Sequence, residues 1–287
     1  MPDTLFIGDY AYSSWSMRGW LLFDRFGLAV NCRLVDFMNA GVAEQMQDIA
    51  PARTVPTLVT EDDGAVIWDS LAIAEELADR HPGAGIWPSD PAMRALARSL
   101  AAEMHSCFVA LRSACPMNLR TAYVGFSPSE EVVANIQRIE TIWTHALERS
   151  GGPWLAGSYS AADVFFAPVA ARIAGFSIPV SDVCRDYVAA HLADPSFRRW
   201  RALGLVQGET LPWYAQDLQT APWPGPSVRA AQAVESGEPE NDACPYSGKA
   251  PTHLMQMDGR TFGFCNATCR DKTVADPEAW PAFMALV

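Results

Sequence analysis

The chain lacks any long apolar run, and no segment approaches the ~18 consecutive apolar residues that a membrane-crossing helix needs. It also lacks a basic excess. Lys and Arg total 21 against 33 Asp and Glu, a formal charge of −12. Nucleic acid is excluded as an expected partner, because phosphate binding needs a basic face. The opening "MPDTLFIGDY" has no basic stretch leading into an apolar run. No internal repeat is found. The expectation is a soluble, cytoplasmic protein with neither a membrane nor a nucleic-acid partner.

What is present suits a globular protein with a full core: 287 residues, 49% apolar and 19% charged. The seven cysteines are unevenly placed. Cys32, Cys107, Cys115 and Cys184 are scattered among apolar residues and read as small buried hydrophobes in a reducing compartment. Cys244, Cys265 and Cys269 crowd into the final segment and ask for another explanation.

Periodicity orders the first 81 residues as a mixed sheet with helices on it. "TLFIG" (4–8) reads as a buried strand, 14–26 as a helix stopped by Gly27, and "NCRLVDF" (31–37) as a second strand. "VPTLVTED" and "AVIWD" flank Asp63-Gly64 as a hairpin, and 70–81 is a capped amphipathic helix. After the Pro/Gly-rich connector 82–91 the signal is helical through 92–114, 130–150 and 160–176, with further helices near 182–192 and 195–204. Residues 216–242 hold four prolines without sustained period and read as a linker. The segment 243–287 has its own strand and turn pattern.

Four motifs recur in order: the serine row "SSWSMR" (13–18), "TVPTL" (54–58), "WDSLAI" (68–73) and "SAAD" (160–163). Together they resemble the glutathione transferases, and the serine row resembles the "SSCSWR" stretch of the zeta class. The resemblance spans roughly residues 1–215. It implies an α/β thioredoxin-like domain over 1–81, an all-α domain over 91–215, a homodimer, and glutathione as co-substrate for a small electrophile.

Glutathione needs an anion site for its γ-glutamyl carboxylate, a backbone edge for its cysteinyl amide, and a donor that favours thiolate. Ser70, at a strand-to-helix turn, would supply the first with free N–H groups of the helix start, and Asp69 would meet the glutamyl ammonium. Val55-Pro56 resembles the cis-proline turn of thioredoxin-like folds, which leaves the Val55 backbone free for an extended peptide. Arg53 could contact a glutathione carboxylate or stand in solvent.

A hydroxyl at the N-terminus of the first helix lowers a thiol pKa. Matching the zeta-like motif gives that role to Ser13, with Ser14 and Ser16 in support; Tyr10 and Tyr12 are alternatives. Trp15 stands where the zeta pattern has cysteine, which counts against omega-type thiol chemistry. Ser160 and Asp163 read as a structural capping box. For the second substrate, the helix 92–114 and the turn after it offer His105, Arg112, Met117, Asn118 and Arg120. Zeta isomerases hold a substrate carboxylate with an arginine whose matching place here is Gly175; the nearest arginine is Arg172. The resemblance therefore implies a transferase or isomerase in general, not a maleylacetoacetate isomerase.

The final cysteines follow C-x20-C-x3-C. "HLMQM" and "RTFGF" flank an Asp-Gly turn, and Asn266 caps a helix that carries Cys269. The pattern resembles the TRASH/YHS-type treble-clef modules of metal-handling proteins and implies a zinc site on Cys244, Cys265 and Cys269. His253 is the candidate fourth ligand, with water or Asp258 as alternatives. A segment this short has little core of its own, so a structural ion is a plausible staple. An alternative role is a metal-responsive or metal-carrying protein that binds glutathione without turnover.

Overall fold

The structure is a computed structural model that describes residues 2–208 and 210–287. The N-terminal part runs β1 (Asp3–Ile7), α1 (Ser14–Asp24), β2 (Val30–Leu34), α2 (Val42–Gln45), β3 (Thr57–Val59), β4 (Val66–Ile67) and α3 (Ser70–Arg80). The strands form one sheet in the order β2-β1-β3-β4. β1 is parallel to β2, while β3 is antiparallel to both β1 and β4. α1 buries Met17, Leu21, Leu22 and Phe23, the stripe that its spacing demands. It approaches the Val55-Pro56 turn through Gly19, where an added Cβ would lie 2.7 Å from the Pro56 Cβ. Only glycine lets α1 and this turn close on each other, and that contact sets the width of the site described below.

The helical part comprises α4 (Pro91–Ser106), α5 (Val109–Ala114), α6 (Glu130–Ser150), α7 (Ala161–Gly175), α8 (Asp182–Ala193) and α9 (Pro195–Val206), with β5 (Ala122–Val124) between α5 and α6. α7 is apolar on every side and runs through the core. Its capping box is formed: the Ser160 N–H donates to Asp163 Oδ2 at 2.9 Å. The single helix expected over 92–114 is broken. Phe108 adopts φ 61° with its ring buried, which ends α4 and redirects α5. A single left-handed residue leaves no mark in a 3.6-residue period.

On α8, His191 is fully buried among Trp154, Tyr159 and Tyr187, with no hydrogen-bond partner for either ring nitrogen. Burial lowers its pKa from 6.5 to about 3. The unfolded chain therefore binds the proton first, and this contribution to stability is present above pH 6.5 and lost as pH falls. In urea unfolding, wild-type stability measured against His191→Phe is expected to decline by about 1.4 kcal/mol per pH unit between pH ~6 and ~4. A difference independent of pH would contradict the buried neutral imidazole.

Residues 216–242 are not an unpaired linker. Within them β6 (Gln219–Ala221) pairs with β5, and β7 (Ala231–Val234) pairs with β8 (His253–Met257). Proline and glycine mark the bends of this segment but do not reveal short pairings between them. β9 (Arg260–Phe264) completes the sheet β7-β8-β9, against which α10 (Ala267–Ala275) and α11 (Pro281–Met284) pack. This C-terminal unit sits on α9. Arg198 makes a two-pronged pair with Asp276 at 2.7 and 2.8 Å. Arg199 donates both to Asp24 at the end of α1 and to the Ala279 carbonyl.

Candidate functional site

The first four residues of the serine motif fall at the N-terminus of α1, but they do different things. Ser13 is the helix cap: its Oγ accepts the Ser16 N–H at 3.3 Å, and its hydroxyl donates to Ser16 Oγ at 2.8 Å. Ser16 Oγ also accepts the Gly8 N–H at 2.9 Å and is fully buried. Ser16 thus ties α1 to the end of β1 and does not line a cavity. Ser14 Oγ accepts from the Arg172 guanidinium at 3.1 Å. Ser13 and Ser14 line a cavity of about 410 Å³ together with Tyr12, Trp15, Phe37, Val55, Val109, Arg112, Met117, Arg172 and Tyr214. Tyr10 is buried outside it, against Trp200. Tyr12 packs against Tyr214 with ring centroids 4.8 Å apart, and burial raises its pKa, so it favours the neutral phenol.

A second cavity of about 410 Å³ adjoins the first and shares Trp15, Phe37 and Val55 with it. Arg53, Pro56 and Asp69 line it as well. The Val55–Pro56 bond is cis, and among the described residues the Val55 backbone makes no hydrogen bond to other backbone. Asp69, rather than Ser70, caps α3: its Oδ1 accepts the Leu71 N–H at 2.9 Å. Ser70 begins α3 fully buried, and its hydroxyl has no partner among the described residues. A buried hydroxyl left free at a helix N-terminus is suited to an anion there.

The second-substrate residues read from the sequence separate in the structure. Arg112 and Met117 line the first cavity. His105 does not; its Nε2 pairs with Asp69 Oδ2 at 3.1 Å, so it holds the carboxylate in place from behind. Asn118 donates to the Tyr123 hydroxyl at 2.9 Å and accepts the Arg120 N–H, fixing a turn. Arg120 is spent on the carbonyls of Leu205, Gln207 and Gly208 at the end of α9. Nearer partners claim these residues before they reach a cleft: a carboxylate for His105, a phenol and a turn N–H for Asn118, and the orphan carbonyls of a helix end for Arg120. Trp15, Phe37, Val109 and Tyr214, which do line it, carry no polar signal. They were not legible as site residues.

Residues 12–80 match the profile of the glutathione S-transferase N-terminal domain. The chain is 30% identical over 203 residues to glutathione S-transferase D7 of Drosophila melanogaster, which covers 68% of this chain and 86% of that protein. The chain belongs to the glutathione S-transferase family. It is also 41% identical over 68 residues to a probable maleylacetoacetate isomerase of Caenorhabditis elegans, 24% of this chain and only 31% of that protein. Among solved structures, a glutathione transferase homolog from Burkholderia with bound glutathione superposes with TM-score 0.54 at 26% identity, over 70% of this chain and 96% of that one. Glutathione transferase Omega 3C from Trametes versicolor shares the fold at TM-score 0.55 and 18% identity, over 75% of this chain and 92% of that one. The cavity along Val55-Pro56 and the cavity at the serine row share Trp15, which lies in the first turn of α1.

The C-terminal unit gathers Cys244, Cys265 and Cys269, whose sulfurs lie within 4.8 Å of one another. The Cys265 and Cys269 sulfurs are 3.9 Å apart. Burial works against charge on Cys244, but the backbone N–H groups of Cys265, Tyr246 and Ser247 and the Ser247 hydroxyl outweigh it and lower its pKa. The Ser247 hydroxyl also donates to Cys265 Sγ at 3.1 Å. His253 does not join the cluster. It pairs across the sheet with Phe264 and shares that residue's face, and its Nδ1 lies 3.0 Å from Thr252 Oγ1. Asp258 is held in the hairpin turn by Arg229. Ser247 and Asn266, whose Nδ2 donates to Cys265 Sγ at 3.4 Å, are polar side chains that converge on these sulfurs.

Proposed function

We propose that this family member is a glutathione-dependent transferase or isomerase whose thiol is activated at the N-terminus of α1. The observation that carries the reading is that the cavity lined by Ser13 and Ser14 adjoins the Val55-Pro56 cavity, the two sharing Trp15, Phe37 and Val55. Glutathione lies along the Val55-Pro56 edge, with its γ-glutamyl carboxylate on Ser70 and the α3 start, its ammonium on Asp69, and Arg53 near the other carboxylate. Its sulfur then faces Ser13. If Ser16 reverses their shared hydrogen bond and donates to Ser13 Oγ, the Ser13 hydroxyl is free to donate to the sulfur. The thiolate attacks the electrophilic carbon in the first cavity, the new C–S bond forms, and the leaving group or enolate carries off the electron pair. The thiol proton goes to solvent.

The three sulfurs fit a thiophilic ion, because each thiolate can ligate and the pocket supplies N–H and O–H groups to anionic sulfur. Zinc bound there would staple a small treble-clef-like unit, with the fourth position left to Ser247 or an exogenous ligand. This unit is read as structural or sensory. A cytoplasmic homodimer fits the family.

Isothermal titration with glutathione tests the reading. Wild type is expected to bind, and Ser70→Ala to bind about tenfold or more weakly, the loss of one buried hydrogen bond to a charged group. Absence of binding at millimolar glutathione would overturn it.

A further inference from the structure

Three guanidinium groups converge beside the serine row without a carboxylate between them. Arg172 is buried and spends donors on neutral acceptors: the carbonyls of Cys115 and Pro168 and the hydroxyl of Ser14. Arg18 is fully buried, and its Nε and Nη1 have no hydrogen-bond partner. It rests instead against the rings of Trp15, at 4.6 Å, and Phe165, at 5.1 Å. Arg112, on α5, lines the cavity and lies over the same Trp15 ring at 4.4 Å. Among the described residues its guanidinium has no hydrogen bond or ion pair. Burial and mutual repulsion lower the pKa of Arg18, with Asp69 as the opposing charge. That carboxylate is already occupied by His105 and by the α3 cap.

A chain of net charge −12 could have placed an acid here, but α5 has none and the acid of α7, Asp163, is spent on Leu155, Ser160 and Tyr187. The other walls carry hydroxyls, from Ser13, Ser14, Ser113 and two tyrosines, and apolar faces from Trp15, Phe37, Val109 and Met117, but no carboxylate. A guanidinium with free donors beside aromatic and aliphatic walls, with no acid facing it, matches a planar anion whose body is apolar. From this geometry we infer that the second substrate carries a carboxylate, which Arg112 receives directly while Arg18 and Arg172 supply uncompensated positive charge behind it. The inference deepens the transferase reading and rests on its assignment of this cavity to the electrophile. The arginines involved lie on α1, α5 and α7 and do not include position 175.

The test separates the two readings. 3-Nitrobenzoate and its methyl ester are titrated calorimetrically into the full chain loaded with S-methylglutathione, and again without it. The carboxylate is expected to bind at least about tenfold more tightly at low ionic strength, and the advantage to shrink with salt. Arg112→Leu should weaken the carboxylate at least about tenfold more than the ester, and Arg112→Lys should recover part of the loss. Equal or tighter binding of the ester, or equal losses for both ligands in Arg112→Leu, overturns the inference. Turnover is then read with 4-chloro-3-nitrobenzoate and its methyl ester, each normalised to its uncatalysed rate. Glutathione sulfur bonds to the ring carbon and chloride leaves with the electron pair. A carboxylate preference in binding without turnover of either compound would contradict the transferase reading and leave the anion site standing.

Discussion

Ser13→Ala is expected to lower kcat/KM for glutathione conjugation about 10²-fold, with the KM for glutathione changed only a few-fold. The asymmetry follows from position. Ser13 is not on the Val55-Pro56 edge or the α3 start, where the peptide would be gripped. It stands at the N-terminus of α1, where its hydroxyl and the helix dipole both favour a thiolate. The cap is lost too, at a cost of about 1 kcal/mol of stability, so a thermal melt must accompany the kinetics. Ser16→Ala serves as the reference for stability alone. It removes the acceptor of the buried Gly8 N–H, so it should lose stability by about 1–3 kcal/mol. If Ser13→Ala retains wild-type turnover while Ser14→Ala loses it, the activating hydroxyl is the one that Arg172 orients.

Purified protein is expected to carry about one thiophilic ion per chain, and Cys265→Ser to carry almost none. Binding free energies of structural zinc in small units reach about 10–16 kcal/mol near neutral pH, so removal should be felt strongly. The C-terminal unit has its own apolar cluster, with Phe262, Phe264, Trp280 and Phe283 buried, and it is pinned to α9 by Arg198–Asp276. Chelation should therefore produce a separate, lower melting transition and leave the transition of the transferase body close to its original temperature. Elemental analysis counts the ion and calorimetry resolves the transitions. Metal-free protein with three titratable thiols and one unchanged transition would contradict a structural ion.

Much of the fold was readable because the features that specify it are local. The Asp63-Gly64 hairpin, the apolar stripe of α1 and the Ser160–Asp163 box each announce themselves within a few residues. The break at Phe108 was not readable, nor were the pairings of β6 and β7. One depends on a single φ angle held by burial, and the others on three- and four-residue strands that find partners far along the chain. The candidate site divides the same way. Ser13, Val55, Pro56, Asp69 and the three late cysteines stood in motifs. Asn118, Arg120 and His253 had the right chemistry in the right region, but nearer backbone and side-chain groups claim them. The meeting of Arg18, Arg112 and Arg172 around Trp15 joins three helices, and no spacing within one segment encodes it.

The central claim is that the α1 N-terminus holds glutathione as a thiolate. A pH titration of thiolate ultraviolet absorbance in the binary complex tests it most directly. The account predicts that bound glutathione ionises at least about one pH unit below the free tripeptide, and that Ser13→Ala returns the midpoint most of the way to the free value. A bound thiol that titrates where the free one does would contradict it.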